Sequence, residues 1–429
     1  MYDVICIGGG LNYPAAVVLA KSGLKVALIE KDLNHLGGTC LNEGCIPSKN
    51  LLHRAKTVVE SSEDVFKTKA VIDFDKLHKK TAKNLENNRK GIIAQCKTNG
   101  IEVIEGEGFV VDEGVKVNDK ILNAKNIIIG TGASPRIPEG IEVDRKRIIT
   151  SKEALTLNPP KELTIYGSGA IGLEMAGLFA SAGTKVNLIF RHEHISKKMN
   201  NDIMLTIEKD LKDLGVNLLP NTSIQKAVTK NNKVHITTNN GELESEYLLV
   251  ATGRVANTSV IKTDKIKISR AIDTNEYFET SLSGVYAIGD CNGKLMLAHA
   301  ARAQALNVAN QILGKKEVLN LDNIPKFIYT MPLSYASVGI TTQNSYSFPI
   351  SHLGISRSML DDDRGTVIIY VDEEDFLKGA KILAPNAEEL ISIFATALSG
   401  EMDIATMEKT VFPHPTYSEV IDRVIRRVK

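Results

Sequence analysis

Two cysteines stand five positions apart in a stretch rich in turn-forming residues. The segment from Gly37 to Lys49 reads GGTCLNEGCIPSK and contains Cys40 and Cys45. In an ideal helix, residues i and i+5 lie about 7.5 Å apart along the axis. A disulfide spans only ~4.4–6.8 Å between Cα atoms. A bond here therefore requires a backbone break, which Gly44 and Pro47 supply. Such strain makes a disulfide easier to reduce, so the spacing predicts a labile redox pair.

Free thiols and a metal site are the two alternatives to a redox pair at these cysteines. A metal site is disfavoured because no second Cys or His pair has ligand spacing, and we predict no bound metal. The other three cysteines, Cys6, Cys96 and Cys291, carry no motif.

Charge and composition exclude several classes of partner. The net charge is +1, with 43% hydrophobic and 24% charged residues, as in ordinary globular proteins. Because nucleic acids and membrane surfaces favour a strong basic excess, neither is expected as a partner. The N-terminus MYDVICIGGG shows no signal peptide, and no apolar run approaches the ~20 residues of a membrane helix. We therefore expect a cytoplasmic protein, where a persistent disulfide is more often catalytic than structural.

Two strand-then-glycine segments must position this chemistry. The strand Asp3–Ile7 runs into GGGLNYPAAVVLAKSG and then a second strand ending at Glu30. The strand Leu163–Tyr166 runs into GSGAIGLEMAGLFASAG and then a strand ending at Phe190. Each pattern is typical of a βαβ unit. Glycines there let a pyrophosphate approach the helix N-terminus, so the chain predicts two dinucleotide sites.

The two glycine turns differ in regularity. The second has the full pattern at Gly167, Gly169 and Gly172. The first keeps two glycines but has Tyr13 where the third belongs, and it is one residue short of the usual spacing. Glu30 lies where an acid that binds a ribose hydroxyl belongs. A plain βα turn without a nucleotide remains the alternative for the first unit.

The remaining patterns predict how the chain is organised around these units. A helix is expected over Asp73–Lys97, and strands that enter turns at Ile127–Pro135 and Leu248–Thr258. A strand and turn at Val285–Gly293 precede a helix that begins near Met296. From about residue 323 the pattern alternates as in strands, with helices from residue 387. The fold class is α/β, with two Rossmann-like dinucleotide-binding domains and a C-terminal α+β dimerisation domain.

Several widely spaced motifs together carry a family resemblance. They are GGTCLNEGCIPSK, the two glycine turns, ATGR at Ala251–Arg254, AIGD at Ala287–Asp290 and HPTYSE at His414–Glu419. In this order they resemble the flavin-dependent pyridine nucleotide–disulfide oxidoreductases, over essentially the whole chain. Within that family, the motifs are most similar to those of the dihydrolipoamide dehydrogenases. The resemblance implies an enzyme that moves electrons between a dithiol and NAD(P) through the cysteine pair and FAD.

The resemblance also implies four segments and a homodimer. Residues 1–145 would be the first part of the FAD-binding domain, and 146–257 the NAD(P)-binding domain. Residues 258–320 would complete the FAD-binding and central domain, and 321–429 would form the interface domain. The active site would be shared across the two subunits.

The family's catalytic roles are implied for six residues. Cys45 would lie under the flavin as the charge-transfer thiol, and Cys40 would exchange with substrate. His414 would be the acid–base residue, donated by the other subunit and oriented by Glu419. The remaining two, Lys49 and Glu174, would pair near flavin N5.

Cofactor contacts are implied at the glycine turns and at the motifs that follow them. FAD would bind through Gly8, Gly10, Glu30 and Asp290, and the nicotinamide dinucleotide through Gly167, Gly169 and Gly172. Further cofactor contacts are expected at Gly38, Thr39, Thr131, Gly132, Leu297, Ala298, His192, Gly253 and Arg254.

The choice of nicotinamide depends on the residues after the second strand of the second unit. The chain reads FRHEH there, with Arg191 where an NAD enzyme is expected to show an acid. Arginine can meet a 2′-phosphate, with help from Lys197 and Lys198, so NADP is favoured. Glu193 can still bind a ribose hydroxyl, which keeps NAD as the alternative.

The substrate is less well defined than the chemistry. Val17 and Val18 stand where glutathione reductases carry arginines, so a neutral entrance that suits lipoamide is expected. The partner would be the lipoyl domain of a 2-oxoacid dehydrogenase or glycine cleavage complex. An NADPH-dependent reductase of another small disulfide is the alternative, and a flavin-binding redox sensor without turnover is a third. Glu43, inside the redox segment, is expected to raise the pKa of a neighbouring thiol.

Overall fold

A computed structural model of the chain describes residues 1–357 and 363–428. The first segment contains β1 (Tyr2–Ile7), α1 (Tyr13–Lys21), β2 (Val26–Glu30), α2 (Gly38–Glu43), α3 (Cys45–Glu60), α4 (Phe74–Thr98), β3 (Glu102–Glu105), β4 (Phe109–Val111), β5 (Gly114–Val117), β6 (Lys120–Leu122), β7 (Ala124–Ile129) and β8 (Ala133–Pro135).

The second segment contains β9 (Ile148–Ile149), α5 (Ser151–Ala154), β10 (Glu162–Tyr166), α6 (Ala170–Ser181), β11 (Lys185–Ile189), α7 (Asn201–Asp213), β12 (Asn217–Leu219), β13 (Ile224–Lys230), β14 (Lys233–Thr238), β15 (Gly241–Ser245), β16 (Tyr247–Val250) and β17 (Arg254–Ala256). The rest contains β18 (Val285–Ala287), α8 (Ala298–Ile312), β19 (Lys326–Ile328), β20 (Ser334–Gly339), β21 (Ser345–Pro349), β22 (Thr366–Val371), β23 (Leu377–Ala384), α9 (Ala387–Ser399), α10 (Ile404–Met407) and α11 (Glu419–Ile425).

The first sheet is parallel and has the strand order β18-β7-β1-β2-β3. Its central strands are buried apolar runs, as expected for a sheet that is covered on both faces. Strand β1 lies between β2 and β7, so the strand order reverses at β1. The first glycine turn therefore leaves the sheet at the point where α/β folds bind ligands.

The second sheet repeats this architecture with the order β12-β11-β10-β16-β9, again parallel. Helix α6 follows the second glycine turn and is buried along nearly its whole length. This helix also packs against α3, which begins at Cys45. The two predicted βαβ units are thus present, and their first helices lie in different environments.

The third sheet is antiparallel, with the order β19-β20-β23-β22-β21. Helix α9 packs on β20 and β23, and its buried residues join α11 in one hydrophobic cluster. The α+β character predicted for this part of the chain is confirmed. Strand β21 was missed because its residues alternate between exposed and half-buried and include Pro349.

Sequence reasoning also missed two small antiparallel sheets, β4-β5-β6 and β13-β14-β15. Two of their hairpins turn through residue pairs with positive φ, Asn118–Asp119 and Asn231–Asn232. Asparagine and aspartate are the residues that tolerate such two-residue turns. These dipeptides are therefore the sequence signal from which the two hairpins could have been predicted.

Helix α4 confirms the prediction of a long helix after Asp73. The Asp73 carboxylate accepts a hydrogen bond from the Lys76 backbone N–H at 3.0 Å and caps the helix N-terminus. Within residues 1–357 and 363–428, no helix combines the length and apolar character needed to cross a membrane.

Helix α6 contains two glycines that provide a matched test of the second turn. A Cβ atom on Gly172 would lie 1.8 Å from the carbonyl oxygen of Gly167, whereas one on Gly177 would lie 3.5 Å from Met331 Cε. We expect Gly172→Ala to destabilise the protein by about 1–3 kcal/mol because the turn must open. Gly177→Ala should be neutral or stabilising, since alanine favours helix more than glycine. Thermal unfolding of both variants checks this, and equal melting temperatures would contradict the close packing.

Candidate active site

The two cysteines lie on either side of a break between two helices. Cys40 is in α2, Cys45 is the first residue of α3, and Gly44 between them has φ −148° and ψ −118°. A Cβ atom on Gly44 would lie 2.8 Å from the Thr39 carbonyl oxygen, so the break requires glycine. Both cysteines are free thiols in this structure, and their side chains are hydrogen bonded to each other. The break thus places the two thiols side by side, as a redox pair requires.

Helix α2 is held directly against the first glycine turn. The Gly37 N–H donates to the Gly9 carbonyl oxygen at 2.8 Å. A Cβ atom on Gly38, whose φ is +65°, would lie 2.8 Å from Gly10 Cα. The two backbone segments therefore touch, and the cysteine pair lies beside the turn where a dinucleotide would bind.

The two thiols of the pair differ in acidity. The hydrogen bond from the Cys40 thiol lowers the pKa of Cys45 to about 7, with a further contribution from the Lys49 ammonium and against the effect of burial. The pKa of Cys40 is raised, first by the same hydrogen bond and then by burial. Position at a helix N-terminus also favours the Cys45 thiolate. Cys45 is therefore the more acidic thiol of the pair.

Lys49 on α3 connects the cysteine helix to the second βαβ unit and to the C-terminal α+β part of the chain. Its ammonium nitrogen lies 2.8 and 2.7 Å from the two carboxylate oxygens of Glu174, which is 5% exposed on α6. Glu174 also accepts the Tyr329 backbone N–H at 3.1 Å, and Lys49 lies 5.4 Å from the centre of the Tyr329 ring. One buried carboxylate thus connects α3, α6 and the segment after β19.

Glu43 does not act on the thiols as expected. Its carboxylate forms an ion pair with Lys152 on α5 and lies 3.7 Å from His35 Nδ1. The pKa of Cys45 is lowered rather than raised, and that of Cys40 is raised chiefly by Cys45. The Glu43 charge is compensated by Lys152, so the predicted like-charge effect is wrong.

The first glycine turn fits a dinucleotide despite its altered sequence. Asn12, 1% exposed, donates to the carbonyl oxygen of Ile128 at 3.0 Å, and its own Oδ1 is buried without a partner among the residues that the structure describes. Gly8 keeps the tight turn with a φ of +93°. The Glu30 carboxylate accepts the Gly9 N–H at 2.7 Å and is held at the end of β2. FAD needs backbone N–H donors at such a turn and a fixed carboxylate that accepts from a ribose hydroxyl, and both are present here.

Other predicted cofactor residues lie at the carboxyl end of the first sheet. Burial raises the pKa of Asp290, and Arg254 Nε lies 3.7 Å from its carboxylate. The Arg254 guanidinium also donates to the Ala133 carbonyl oxygen, so it faces the first unit rather than the second glycine turn. Thr131, which precedes Gly132 and β8, forms two hydrogen bonds with Asn257, which follows β17. Leu297 and Ala298 form the N-terminus of α8.

Cys291 now has a structural explanation. Its thiol is fully buried and donates to the carbonyl oxygens of Ile288 and Ile129 at 3.1 and 3.4 Å. Burial raises its pKa to about 11, which keeps it protonated and unreactive.

The second glycine turn has the geometry of an anion site at a helix N-terminus. A Cβ atom on Gly167, with φ +118°, would lie 2.4 Å from the Ala251 carbonyl oxygen, and Gly169 is the N-cap of α6. Arg191 and His192 are exposed immediately after β11. The loop that carries them is fixed by the Ile195 N–H, which donates to buried Glu208 at 2.9 Å. Gly253, with φ +109°, precedes β17 near this edge.

His414 and Glu419 lie in the third unit. The imidazole Nδ1 is 3.0 Å from one carboxylate oxygen of Glu419, and the Thr416 N–H donates to the other at 2.9 Å. The hydrogen bond with His414 is the main cause of the lowered pKa of Glu419. His414 has a side chain that is 66% exposed, so its Nε2 edge is accessible to another molecule.

A cleft of about 600 Å³ lies between the first turn, α3 and α4. Tyr13, Ile46 and Asn50 line one side, and residues of α4 including Asn84 and Asn88 line the other. Sequence reasoning missed this cleft. Its signal was the recurrence of side-chain amides at 84, 87, 88 and 95, a helical spacing on one face of α4.

Val17 and Val18 contribute less to an apolar entrance than expected, because both pack against the hydrophobic core of the first unit. The cleft between the first turn, α3 and α4 is lined by a mixture of amide and apolar side chains.

Comparison with known proteins gives consistent matches along the chain. Residues 2–305 match the family model described as pyridine nucleotide-disulphide oxidoreductase, and residues 324–425 match the dimerisation domain of the same group. Dihydrolipoyl dehydrogenase from Chlamydia pneumoniae is 34% identical, over 98% of this chain and 95% of the relative.

Two solved structures share the architecture. LpdA from Mycobacterium tuberculosis superposes with a TM-score of 0.91 at 24% identity, over 100% of both chains, which supports the fold alone. The HOCl-induced flavoprotein disulfide reductase RclA from Escherichia coli gives a TM-score of 0.89 at 25% identity, covering 100% of both chains.

The unequal acidity of the cysteine pair can be measured by titration. In the reduced protein, thiolate absorbance near 240 nm, taken as the difference from Cys45→Ser, should rise with a midpoint near pH 7. Cys40→Ser removes the largest cause of the lowered pKa of Cys45, so its midpoint should move upward. A wild-type midpoint at or above the ordinary value of about 8.5 would contradict the assignment of Cys45 as the thiolate.

Proposed function

The chain belongs to the pyridine nucleotide–disulphide oxidoreductase family, and we propose that it oxidises a dihydrolipoamide-type dithiol as dihydrolipoyl dehydrogenases do. At the level of the family, it is a FAD-dependent disulfide oxidoreductase that uses a nicotinamide dinucleotide. The observation that carries the finer proposal is the paired Cys40 and Cys45, with Cys45 as the more acidic thiol beside the first dinucleotide turn. A protein-borne lipoyl group, as on a 2-oxoacid dehydrogenase or glycine cleavage complex, is the proposed physiological substrate.

The proposed exchange starts from the disulfide form of the pair. One substrate thiolate attacks Cys40, a bond forms to its sulfur, and Cys45 leaves as a thiolate. The second substrate thiolate then attacks the mixed disulfide, so the oxidised substrate departs and Cys40 is left reduced. Cys45 suits the leaving position because a thiol of lower pKa leaves faster. Bound FAD supplies the two-electron chemistry between the reduced pair and the nicotinamide.

Two pairs of side chains support this exchange, Lys49 with Glu174 and His414 with Glu419. Lys49 stabilises the Cys45 thiolate by its positive charge, and Glu174 holds that ammonium in place. We propose that His414 accepts the proton of the substrate thiol, since its imidazole is exposed and Glu419 fixes its orientation.

We propose that His414 acts in the site of a second copy of the chain. Its exposure and its place in the unit that matches the dimerisation domain support this arrangement. The interface domain would then be the segment 321–429, and the functional unit a homodimer with two shared sites.

NADP is proposed as the preferred nicotinamide dinucleotide. The supporting observation is the exposed Arg191 at the end of β11, on a loop that Glu208 holds in place. An arginine at this position can bind a 2′-phosphate, and Lys197 and Lys198 on the same loop are also exposed.

A second candidate function is the NADPH-dependent reduction of another small disulfide. The amides of the cleft between the first turn, α3 and α4 favour it, because lipoamide carries mainly an aliphatic arm. The two candidates share the exchange chemistry and differ in the group attached to the sulfur atoms.

Replacing Cys45 tests the exchange itself. We expect Cys45→Ser to lose at least ~10³-fold in lipoamide-linked turnover, because the disulfide cannot form, while FAD stays bound. The FAD content of the variant, read from its visible spectrum, is the internal control. Full lipoamide activity in this variant would refute the role of the pair, and a wild-type protein that turns over no disulfide would favour a redox sensor.

Replacing Arg191 tests the nicotinamide choice. We expect Arg191→Glu to lower kcat/KM for NADPH by about 10–100-fold, because a charge-assisted bond to the 2′-phosphate becomes a repulsion. NADH should change by less than about threefold, since it lacks that phosphate. Lys212→Glu, an exposed charge reversal in the last turn of α7, is the control for net charge. An unchanged ratio of the two cofactors would exclude Arg191 as the selector.

A further inference from the structure

Lys49, whose positive charge stabilises the Cys45 thiolate, lies over two aromatic rings. Its ammonium nitrogen is 5.7 Å from the ring centre of Phe327 and 5.4 Å from that of Tyr329. A cation over a ring and within about 6 Å of its centre is attracted by the electron-rich face. The Lys49 side chain is 30% exposed, so water competes with Glu174 for the ammonium group. The two rings are therefore additional contacts that hold this cation.

Both rings come from one extended segment of the chain. Phe327 is in β19, and Tyr329 follows the last residue of that strand. Residues two positions apart in extended backbone project to the same side, which explains how one short segment brings both rings to the ammonium. The Tyr329 backbone N–H also donates to the Glu174 carboxylate at 3.1 Å. The segment thus contacts the cation and its anionic partner together.

The orientation of the rings is fixed by further contacts. The Tyr329 ring meets the Phe327 ring edge-on, with centres 5.6 Å apart, and Phe327 stacks on the His299 ring with centres 6.3 Å apart. Both are preferred arrangements of ring pairs. His299, in the first turn of α8, has its Nε2 2.7 Å from the Pro325 carbonyl oxygen. The row of rings therefore connects α8 to the ammonium of Lys49.

We propose that Phe327 and Tyr329 are positioning residues, whose ring faces keep the Lys49 ammonium where it acts on the Cys45 thiol. His299 supports the Phe327 ring from the other end of the row. The inference deepens the proposed function, because it assigns further residues to the reacting thiol, and it rests on that function for the role of Cys45 in exchange.

The charged and titratable groups around these side chains are consistent with an effect through Lys49. The Cys45 thiol is influenced by Cys40, Lys49 and Glu174, and of these three Lys49 is the one whose charge lowers the thiol pKa. Burial is the main cause that raises the pKa of Tyr329 to about 12, and Glu388 and Glu389 of α9 add to it. The Tyr329 hydroxyl is therefore neutral at physiological pH and brings no charge of its own to the site.

A purely structural role of the rings predicts a different behaviour. Phe327 and Tyr329 also pack against hydrophobic clusters, so replacing either one removes apolar contacts as well. The loss of apolar contacts does not depend on the charge of Lys49, whereas positioning of the ammonium does. A double-mutant cycle with Lys49 therefore separates the two roles.

The experiment is a pH titration of thiolate absorbance in the holoenzyme with its dithiol reduced. Each protein is referenced to the same protein carrying Cys45→Ser, so that flavin absorbance cancels. We expect Phe327→Leu to raise the Cys45 midpoint by about 0.3–0.7 pH units, because one cation–ring contact is lost. Phe327→Tyr keeps a ring face and should stay within about 0.2 units of wild type. In Lys49→Met protein, Phe327→Leu should add less than about 0.2 units.

Phe109→Leu is the matched control. The Phe109 ring in β4 lies 5.5 Å from the ammonium of Lys262, so this variant also loses a cation–ring contact, but in the small sheet β4-β5-β6. Its Cys45 midpoint should equal that of wild type. FAD content and melting temperature show that each variant is folded, and Tyr329→Leu, with the same expected rise, replaces Phe327→Leu if the latter does not retain FAD.

The outcomes separate this proposal from the proposed function. A rise that occurs only when Lys49 is present supports the positioning role. An unchanged midpoint in Phe327→Leu overturns it, and so does an equal rise in the Lys49→Met protein, which would reflect a structural contact alone. The titration needs no substrate. A holoenzyme that shows the expected shifts but turns over no disulfide would therefore refute the proposed function and leave the positioning of Lys49 intact.

Discussion

The contact between two glycine-bearing backbone segments positions everything else in the site. Gly37 donates to Gly9, and Gly38 touches Gly10 so closely that no side chain fits between them. Helix α2 is thereby fixed to the first dinucleotide turn, and Cys40 is fixed with it. Because Gly44 must also be a glycine, the short path from that turn to Cys45 has almost no freedom. These backbone contacts are present despite the altered sequence of the first turn.

Electrostatics then distinguish two chemically identical side chains. Cys45 lies at a helix N-terminus near an ammonium group, whereas Cys40 donates its hydrogen to Cys45. The ammonium group is held by a carboxylate that belongs to a different unit of the fold. Reactivity at the pair therefore depends on how the three units are packed, and not on the local motif alone.

The sequence predicted the parts of the fold that have strong periodicity or fixed turn chemistry. Both parallel sheets followed from buried apolar runs that lead into glycine turns, and α4 followed from its apolar spacing and charge pattern. Strand β21 and the two small sheets were missed because their strands are short and half exposed, and because their signal is in turns such as Asn231–Asn232. Motif spacing located the cysteines but gave no sign that Lys152 compensates the charge of Glu43, since that contact joins α2 to a helix far along the chain. The amide cleft was missed for a related reason, as exposed asparagines on a helix are normally only solvated.

Helix α6 has a further consequence because it serves two purposes at once. Its N-terminus forms the second glycine turn, and Glu174, on its next turn, holds the ammonium beside Cys45. Thermodynamic linkage requires that two equilibria sharing one element influence each other equally. If occupancy of the turn shifts α6, the thiol's proton affinity changes, and deprotonation of the thiol changes dinucleotide affinity by the same factor. The helix in this sense couples the nicotinamide dinucleotide site and the sulfur atoms reciprocally.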